Sequence, residues 1–333
     1  MTRRYIYILF DRKIENSLTS FLYPKLKELY NDVFMIDNPD DDASIKSWFK
    51  VSFKTLLMSK KNDIIICSFD FQAVIVYWLS LFLFQKRKII AINIMLKDKP
   101  TMKNKFASFL YKKALKSKRF KATVATKEFA DLCCDKLKID NNMIILRDVF
   151  IDFLREEKCR DNVRSVFVGG SNGRDWETAF AVAEKMKDVS FTFVLTPGDY
   201  EKYISKNHTN VKLYKSVSFN EFIQLQKESS IAYLPLLTEA PSGLLVMFQA
   251  AQLRQMVITS DTCTTRGYII NNHSGALIPL FSVDEAIKTI CYYLDNVDKR
   301  NFCCDNFLSF LKSECNQDKF TETVTKVIES FSK

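Results

Sequence analysis

The stretch that decides the fold is Val166-Phe167-Val168-Gly169-Gly170-Ser171-Asn172-Gly173-Arg174-Asp175-Trp176. A run typical of a buried strand leads directly into a glycine-rich turn, and a helical pattern begins near Arg174. Such a turn brings bare backbone close to a phosphate, and the next helix offers free N–H groups and a positive dipole. Arg174 adds a cation suited to bidentate phosphate contact. The spacing is not G-x-G-x-x-G, so no dinucleotide fingerprint is indicated, and a tight turn beside a surface arginine is the alternative.

The strand-then-helix rhythm extends from this turn in both directions. Strands are predicted at 5–10, 33–36, 63–68, 88–95, 123–125, 143–146, 165–168, 191–195, 211–214, 231–235, 256–260 and 276–278. Helices are predicted near 16–30, 44–60, 71–84, 102–118, 127–138, 175–187, 219–228, 243–254, 283–295 and 319–331. Strands separated by helices imply parallel strands with crossovers. We therefore predict an α/β chain of two Rossmann-like, doubly wound domains that face each other across a cleft.

Glycine and charge divide the chain at a similar place. All seven glycines of the 333 residues lie at or after Gly169. Residues 1–160 contain 31 Lys/Arg against 19 Asp/Glu, whereas the remainder contains 18 against 20. The charged stretch 155–164 is typical of a linker. We predict a basic N-terminal domain at 1–155, a second domain at 164–318, and a helix at 319–333 that crosses back to the first domain.

A second glycine turn follows the strand predicted at 231–235 and ends in Ala240-Pro241-Ser242-Gly243, before an apolar helix. Ser242 is placed as an N-cap or as a hydroxyl donor to a bound anion. Glu239 precedes the helix and could accept hydrogen bonds from sugar hydroxyls. Gln249 lies about two turns into the helix, where a buried amide needs a partner. That partner is either a ribose hydroxyl or the carbonyl of a neighbouring loop.

The order of three motifs resembles a known family. "VFVGG…GRDW" is followed by "APSGLLVMFQAAQLRQMVITSD" and then by "GYI…SGALIP…DEAI". This order, over roughly residues 164–297, is similar to the donor-binding half of the glycosyltransferases of family 4. Those are retaining enzymes of the two-domain GT-B fold, so the resemblance implies that fold and that activity.

The resemblance also implies roles for individual residues. It places Gly169, Gly170 and Arg174 beside the diphosphate of a nucleotide-sugar. It places Ser242, Gly243 and Leu244 at a helix N-terminus that faces the diphosphate and the sugar. Gln249 stands where the second of two family glutamates normally binds ribose, and Glu239 matches the first loosely, because it precedes Gln249 by ten positions and not by eight. Arg174 and Glu239 are the predicted catalytic residues.

The first domain departs from the family pattern. The family commonly has a glycine-rich loop after its first strand, where this chain has Phe10-Asp11-Arg12-Lys13. A histidine of that domain often contacts the sugar, but His208 and His273 both lie in the second half. Three aspartates follow predicted strands and are candidates for the acceptor side or, alternatively, ordinary loop residues: Asp11, Asp70 and Asp98.

A basic segment marks the first domain. Residues 86–121 contain 13 Lys/Arg and a single acid, Asp98. Within it, a predicted helix carries an aromatic face surrounded by lysines, typical of helices that lie on anionic lipid. The predicted membrane-facing residues are Lys103, Lys105, Phe106, Phe109, Lys112, Lys113 and Lys116. The alternative is a solvated helix that packs its aromatic face on its own sheet; no nucleic-acid module is recognisable, so nucleic acid is not expected as a partner.

The cysteine and histidine counts and the hydropathy indicate where in the cell the protein is expected. Nine cysteines without a C-x-x-C pair, and only two histidines, are typical of reduced thiols and not of a zinc site. The longest apolar stretch, near 73–84, is shorter than the about 20 residues of a spanning helix, and no secretory signal is indicated. We expect a cytoplasmic protein, peripheral at the inner face of the membrane, without metal or cofactor.

The resemblance implies a retaining glycosyltransferase that moves a hexosyl-type sugar from a nucleotide-sugar to a saccharide acceptor. It makes 164–318 the donor-binding domain and 1–155 the acceptor-side, membrane-facing domain. The basic first domain favours a lipid-linked acceptor, as in cell-surface polysaccharide synthesis. One alternative is a non-catalytic GT-B-like subunit that docks a partner or a lipid. Another is a GT-B epimerase or phosphorylase.

Overall fold

The protein is described from a computed structural model, over residues 5–40, 44–96, 101–154, 158–160, 163–206 and 209–331. Within these ranges, strands β1 to β12 are Ile6–Leu9, Val33–Ile36, Ile64–Cys67, Lys88–Ala91, Phe120–Val124, Ile144–Ile145, Ser165–Gly169, Ser190–Leu195, Val211–Lys215, Ile231–Leu234, Met256–Ser260 and Ala276–Ile278. Helices α1 to α12 are Leu22–Leu29, Ile45–Met58, Asp70–Phe82, Met102–Leu115, Lys127–Leu137, Trp176–Lys185, Pro197–Tyr203, Phe219–Lys227, Leu244–Gln252, Val283–Asp295, Val297–Glu314 and Gln317–Glu329. The chain divides into two compact units, one formed by Met1–Val149 with Glu314–Lys333 and the other by Phe150–Ser313.

The first unit is a parallel sheet in the order β2-β1-β3-β4-β5-β6. The order reverses direction after β2, so right-handed crossovers place α1 on one face of the sheet and α2 to α5 on the other. Neighbouring helices of the second layer pack on one another, α2 on α3, α3 on α4 and α4 on α5. On the opposite face α12 packs beside α1, where Phe320 meets Phe21 edge to face at 5.4 Å.

The second unit is a parallel sheet in the order β12-β11-β10-β7-β8-β9. The chain winds outward from β7 through β8 to β9, and again from β10 through β11 to β12. The switch point of the topology therefore lies between β7 and β10, where the loops after two adjacent strands diverge and leave a crevice. Aromatic side chains fill much of the core beneath, including Trp176, Phe180 and Phe193.

The prediction of two Rossmann-like, doubly wound units is confirmed, and most strands lie within two residues of their predicted limits. Two helices were not predicted. Helix α7 is seven residues long and begins at Pro197-Gly198, a pair that reads as a turn but fits a first helical turn capped by Thr196. Helix α11 buries Arg300, Cys303 and Cys304 in place of a continuous aliphatic stripe, so its sequence shows little amphipathic contrast.

Two further properties bear on location and chemistry. Among the described residues, no helix combines the length and the apolar composition that crossing a bilayer requires. All nine cysteines are free thiols, and seven of them are buried. Burial raises the pKa of Cys67 and of Cys315, to about 12 for the latter, which keeps these thiols protonated at neutral pH.

Candidate functional site

The loop after β7 is shaped by two glycines in left-handed conformations. Gly170 has φ +119° and Gly173 has φ +65°, a region that residues with a Cβ rarely adopt. A Cβ on Gly170 would lie 2.6 Å from Nη2 of Arg174, and a Cβ on Gly173 would lie 2.9 Å from Oγ of Ser242. The loop therefore requires glycine at both positions, because its backbone passes directly against two side chains.

Arg174 is the centre of this arrangement. Its side chain is buried, and Nε donates a 2.7 Å hydrogen bond to the carbonyl of Gly169. Among the described residues no carboxylate pairs with it, and buried Nη1 donates to none of them. Burial lowers the pKa of Arg174 to about 10, so the guanidinium is still charged at neutral pH. A buried cation with an unused N–H is costly unless an anion joins it.

The unused N–H groups lie at the start of α9. A Cβ on Gly243 would be 3.0 Å from Nη1 and 3.2 Å from Nη2 of Arg174. Gly243 is the N-cap of α9, with φ +78° and no side chain to cap the helix. The first N–H groups of an α-helix have no intrahelical acceptor, and they carry the positive end of the helix dipole. The guanidinium and the helix start together form a site for an anion.

Main-chain hydrogen bonds hold the loop after β7 against the loop after β10. The N–H of Leu237 donates to the carbonyl of Gly173 at 2.8 Å, and the N–H of Asp175 donates to Pro235 at 3.0 Å. Asp175 then caps α6, because its carboxylate accepts from the N–H of Thr178 at 3.1 Å. This role of Asp175 was not predicted from the sequence, although the D-x-x-T pattern at the start of a helix was the available signal.

Ser242 and Glu239 make internal contacts. The hydroxyl of Ser242 donates to the carbonyl of Asn172 at 2.5 Å, which links the second glycine turn to the first. The carboxylate of Glu239 accepts from the N–H of Cys263 at 2.6 Å, and its main-chain carbonyl accepts from Oγ1 of Thr264. Both side chains brace loops in this structure, and their predicted contacts with ligand remain predictions.

Gln249 lies on α9, with 7% of its surface exposed. Its Oε1 is buried, and no hydrogen bond to it is present among the described residues. A buried amide oxygen without a donor lacks a partner worth about 1–3 kcal/mol. The loop carbonyl predicted as one alternative would accept from Nε2 and cannot pair with Oε1, so both predicted partners of Gln249 remain predictions.

The candidates for the acceptor side are more scattered. Asp11 follows β1, where its N–H donates to Oγ of Ser68 at 3.1 Å. Asp70 is buried at the start of α3 and accepts from the N–H of Met95 at 2.7 Å and from the hydroxyl of Tyr111 at 2.5 Å. Burial raises the pKa of Asp70. Asp98 lies outside the described residues.

The basic helix predicted at 102–118 is α4. Phe106 and Phe109 are 64% and 50% exposed, whereas Tyr111, Ala114 and Leu115 face the interior. Phe106 and Phe109 therefore point away from the sheet. Over the described part of the chain, no group of three or more His, Cys, Asp or Glu side chains could hold a metal ion.

Comparison with known proteins rests on structure alone, because no family model and no curated protein sequence matches the chain. The structure of HepE from Anabaena in complex with UDP and glucose superposes with a TM-score of 0.71 at 10% identity, covering 98% of this chain and 100% of that one. The apo form of the lipopolysaccharide outer core galactosyltransferase WaaB superposes with a TM-score of 0.66 at 12% identity, covering 98% of this chain and 99% of that one.

A mutant of TarM from S. aureus, in complex with Fondaparinux, alpha-GlcNAc-glycerol and UDP, gives a TM-score of 0.66 at 12% identity. That match covers 84% of this chain, which spans 58% of the length of TarM. At such identities the likeness concerns architecture. The chain has the two-domain GT-B fold of these glycosyltransferase structures.

Proposed function

We propose that this protein is a retaining glycosyltransferase that transfers a hexosyl-type sugar from a nucleotide-sugar to a saccharide acceptor. The observation that carries the proposal is the buried guanidinium of Arg174, which no carboxylate of the described residues meets, at the start of α9, whose N-cap residue has no side chain. This site lies at the switch point between β7 and β10, where doubly wound sheets bind their ligands. The diphosphate of a nucleotide-sugar has the charge and the size that two N–H groups and a helix start can hold.

The proposed chemistry follows from where charge develops. The bond between the sugar anomeric carbon and the diphosphate oxygen breaks, and negative charge grows on that oxygen. Arg174 and the N–H groups of Gly243 and Leu244 stabilise this charge more strongly than that of the bound donor. The acceptor hydroxyl adds to the anomeric carbon on the same face, and its proton passes to the departing diphosphate. Gln249 would bind the ribose through its unpartnered Oε1, which accepts from a hydroxyl.

Release of nucleoside diphosphate tests this proposal. We expect the protein to release nucleoside diphosphate from at least one member of a panel of nucleotide-sugars, and faster when a saccharide acceptor is added. The product should keep the anomeric configuration of the donor, as measured by proton NMR. An inverted product contradicts the retaining mechanism, and the absence of release from every donor contradicts the activity.

A non-catalytic GT-B-like subunit is the second candidate. It is favoured by the absence of histidine from residues 1–168 and by the amide of Gln249 where the related family has a carboxylate. This candidate predicts that nucleotide binds without turnover. Calorimetric binding together with the release assay therefore separates the two.

We also propose that the acceptor is lipid-linked and that the protein is peripheral at the inner membrane face. Supporting this, α4 presents Met102, Phe106 and Phe109 to solvent, and four exposed lysines surround them: Lys103, Lys105, Lys113 and Lys116. Each lysine near an anionic surface contributes about 1 kcal/mol.

Vesicle binding tests this membrane proposal. We expect the wild type to co-sediment with vesicles of equal parts phosphatidylcholine and phosphatidylglycerol. Replacing both Phe106 and Phe109 by Ser should weaken binding about tenfold, because two half-exposed rings no longer enter the interface. Binding that does not respond to this change, or to ionic strength, contradicts the role of α4.

A further inference from the structure

Helix α2 presents an apolar stripe to solvent that no part of the described chain covers. Four residues spaced by four positions form this stripe: Ile45, Phe49, Phe53 and Leu57. Their exposed fractions lie between 40% and 65%. The helix buries a different face on its own sheet and on α3, through Trp48, Val51 and Leu56. The stripe is therefore additional to the core-facing side of an ordinary amphipathic helix.

A basic stripe runs beside the apolar one. Lys46, Lys50 and Lys54 repeat at the same spacing of four and lie on the solvent side of α2. Lys50 approaches Asp40 at 3.7 Å, an exposed pair that water screens. The helix itself, Ile45–Met58, contains no acidic residue. An apolar stripe bordered by lysines without acids is the pattern of a helix that lies in a lipid interface.

The apolar surface continues past the end of α2. Arg87 links the loop after α3 to the loop after α2. Its Nε donates to Oγ of Ser59 at 2.9 Å, and its Nη2 donates to the Ser59 carbonyl at 2.5 Å. Phe82 at the end of α3 and Phe84 in the turn that follows are both exposed, Phe84 by 96% and with φ +55°. A phenylalanine in this conformation and without packing has no stabilising role within the described chain. Its exposure extends the stripe towards the end of α3.

The positive charge around this surface favours an anionic ligand. Residues 44–121 contain 18 Lys/Arg and three acids. Of these acids, Asp63 and Asp70 are buried, and Asp98 lies outside the described residues. A second copy of the chain that met this face would bring the lysine stripes of α2 together, which is unfavourable. An anionic bilayer is complementary to both stripes of α2, since its headgroups pair with the lysines and the aromatic rings enter the boundary of the acyl chains.

We propose that α2 is a second lipid-contacting element, in which Ile45, Phe49, Phe53 and Leu57 enter an anionic bilayer and Lys46, Lys50 and Lys54 contact its headgroups. This inference rests on the membrane attachment proposed above for α4 and enlarges it, because α2, α3 and α4 form one layer on the same face of the sheet. From the sequence, lipid contact was predicted for α4 alone.

The test uses the full chain and vesicles of equal parts phosphatidylcholine and phosphatidylglycerol. Replacing both Phe49 and Phe53 by Ser should weaken vesicle binding about tenfold or more, because two half-exposed rings leave the interface. The rings are not core residues, so thermal stability should stay near that of the wild type. Phe281→Ser is the matched control, since Phe281 is 61% exposed in the second unit, and it should bind as the wild type does.

Each outcome has a separate meaning. If the α2 variant binds vesicles like the wild type while the Phe106, Phe109 variant does not, the inference about α2 is wrong and the proposal for α4 stands. A wild type that does not bind vesicles overturns both. A wild type that sediments as a dimer, with a monomeric α2 variant, shows that α2 contacts a second copy and overturns the lipid assignment. The proposed activity is measured independently, by nucleoside diphosphate release from the same variants.

Discussion

Replacing Arg174 by Met should weaken nucleotide binding strongly without destabilising the ligand-free protein. The guanidinium is buried, its pKa is lowered by that burial, and no carboxylate of the described residues pairs with it. Its removal therefore relieves a desolvation cost while losing one hydrogen bond to Gly169. Losing its contacts with a diphosphate should weaken binding about 100-fold, since a buried charge-assisted pair contributes about 2–5 kcal/mol. Calorimetric titration with a panel of nucleoside diphosphates measures the affinity, and thermal unfolding measures the stability.

Arg164→Met is the matched control for this experiment. Arg164 belongs to the same unit but is exposed, and it pairs with Asp188 and Asp295 on the surface. Its replacement should leave nucleotide affinity unchanged, because exposed ion pairs contribute little and lie away from α9. A large fall in the melting temperature of ligand-free Arg174→Met, with nucleotide affinity intact, would show that Arg174 is a structural residue.

Replacing Gly243 by Ala should damage both the site and the stability of the second unit. A Cβ at this position would lie 3.0 Å from Nη1 of Arg174, so the guanidinium has to move. The φ of +78° adds about 1–2 kcal/mol of backbone strain for a residue with a Cβ. Displacement of the cation from the helix start should weaken nucleotide binding by about tenfold or more. The same titrations and unfolding curves measure these effects.

Gly198→Ala provides the opposite expectation. Gly198 lies in the first turn of α7, its φ is not in the left-handed region, and no atom lies within 4 Å of a Cβ built on it. Alanine there should raise the free energy of unfolding by about 0.5–1 kcal/mol and leave nucleotide affinity unchanged. If both glycine variants changed affinity equally, close packing at Gly243 would not be the cause.

The sequence specified the architecture well for a physical reason. Hydrophobic runs of strand length, separated by helical periods, allow few arrangements other than parallel strands with crossovers. The limits of β2, β11 and β12 were predicted as observed, because Gly, Pro, Asp or Ser residues follow or precede these strands closely. Helix α11 was not predicted because its buried Arg300 donates to the carbonyl of Tyr293, a contact that only the folded chain reveals.

The candidate site was predictable in position and less so in detail. Gly169, Gly170, Arg174 and Gly243 were predicted from two turns, and the structure brings those turns together because β7 and β10 are neighbours. Side-chain direction was harder to predict. Asp70 follows a strand as expected but turns inward to Tyr111, on a helix far along the chain. The exposure of the apolar stripe on α2 was also not predictable from the sequence. A stripe of apolar residues spaced by four normally predicts the face that packs on the core, and in α2 a different face packs on the sheet.

The central claim is that Arg174 and the start of α9 bind the diphosphate of a nucleotide-sugar. Thermal unfolding with a panel of nucleoside diphosphates, measured on the wild type and on Arg174→Met, tests it most directly. Ligand at 100 times its dissociation constant stabilises the folded state by about 2.7 kcal/mol, which moves the melting temperature visibly. We predict that at least one nucleotide raises the melting temperature of the wild type and, at the same concentration, raises that of the variant far less. No shift with any nucleotide, or equal shifts in both proteins, would contradict the claim.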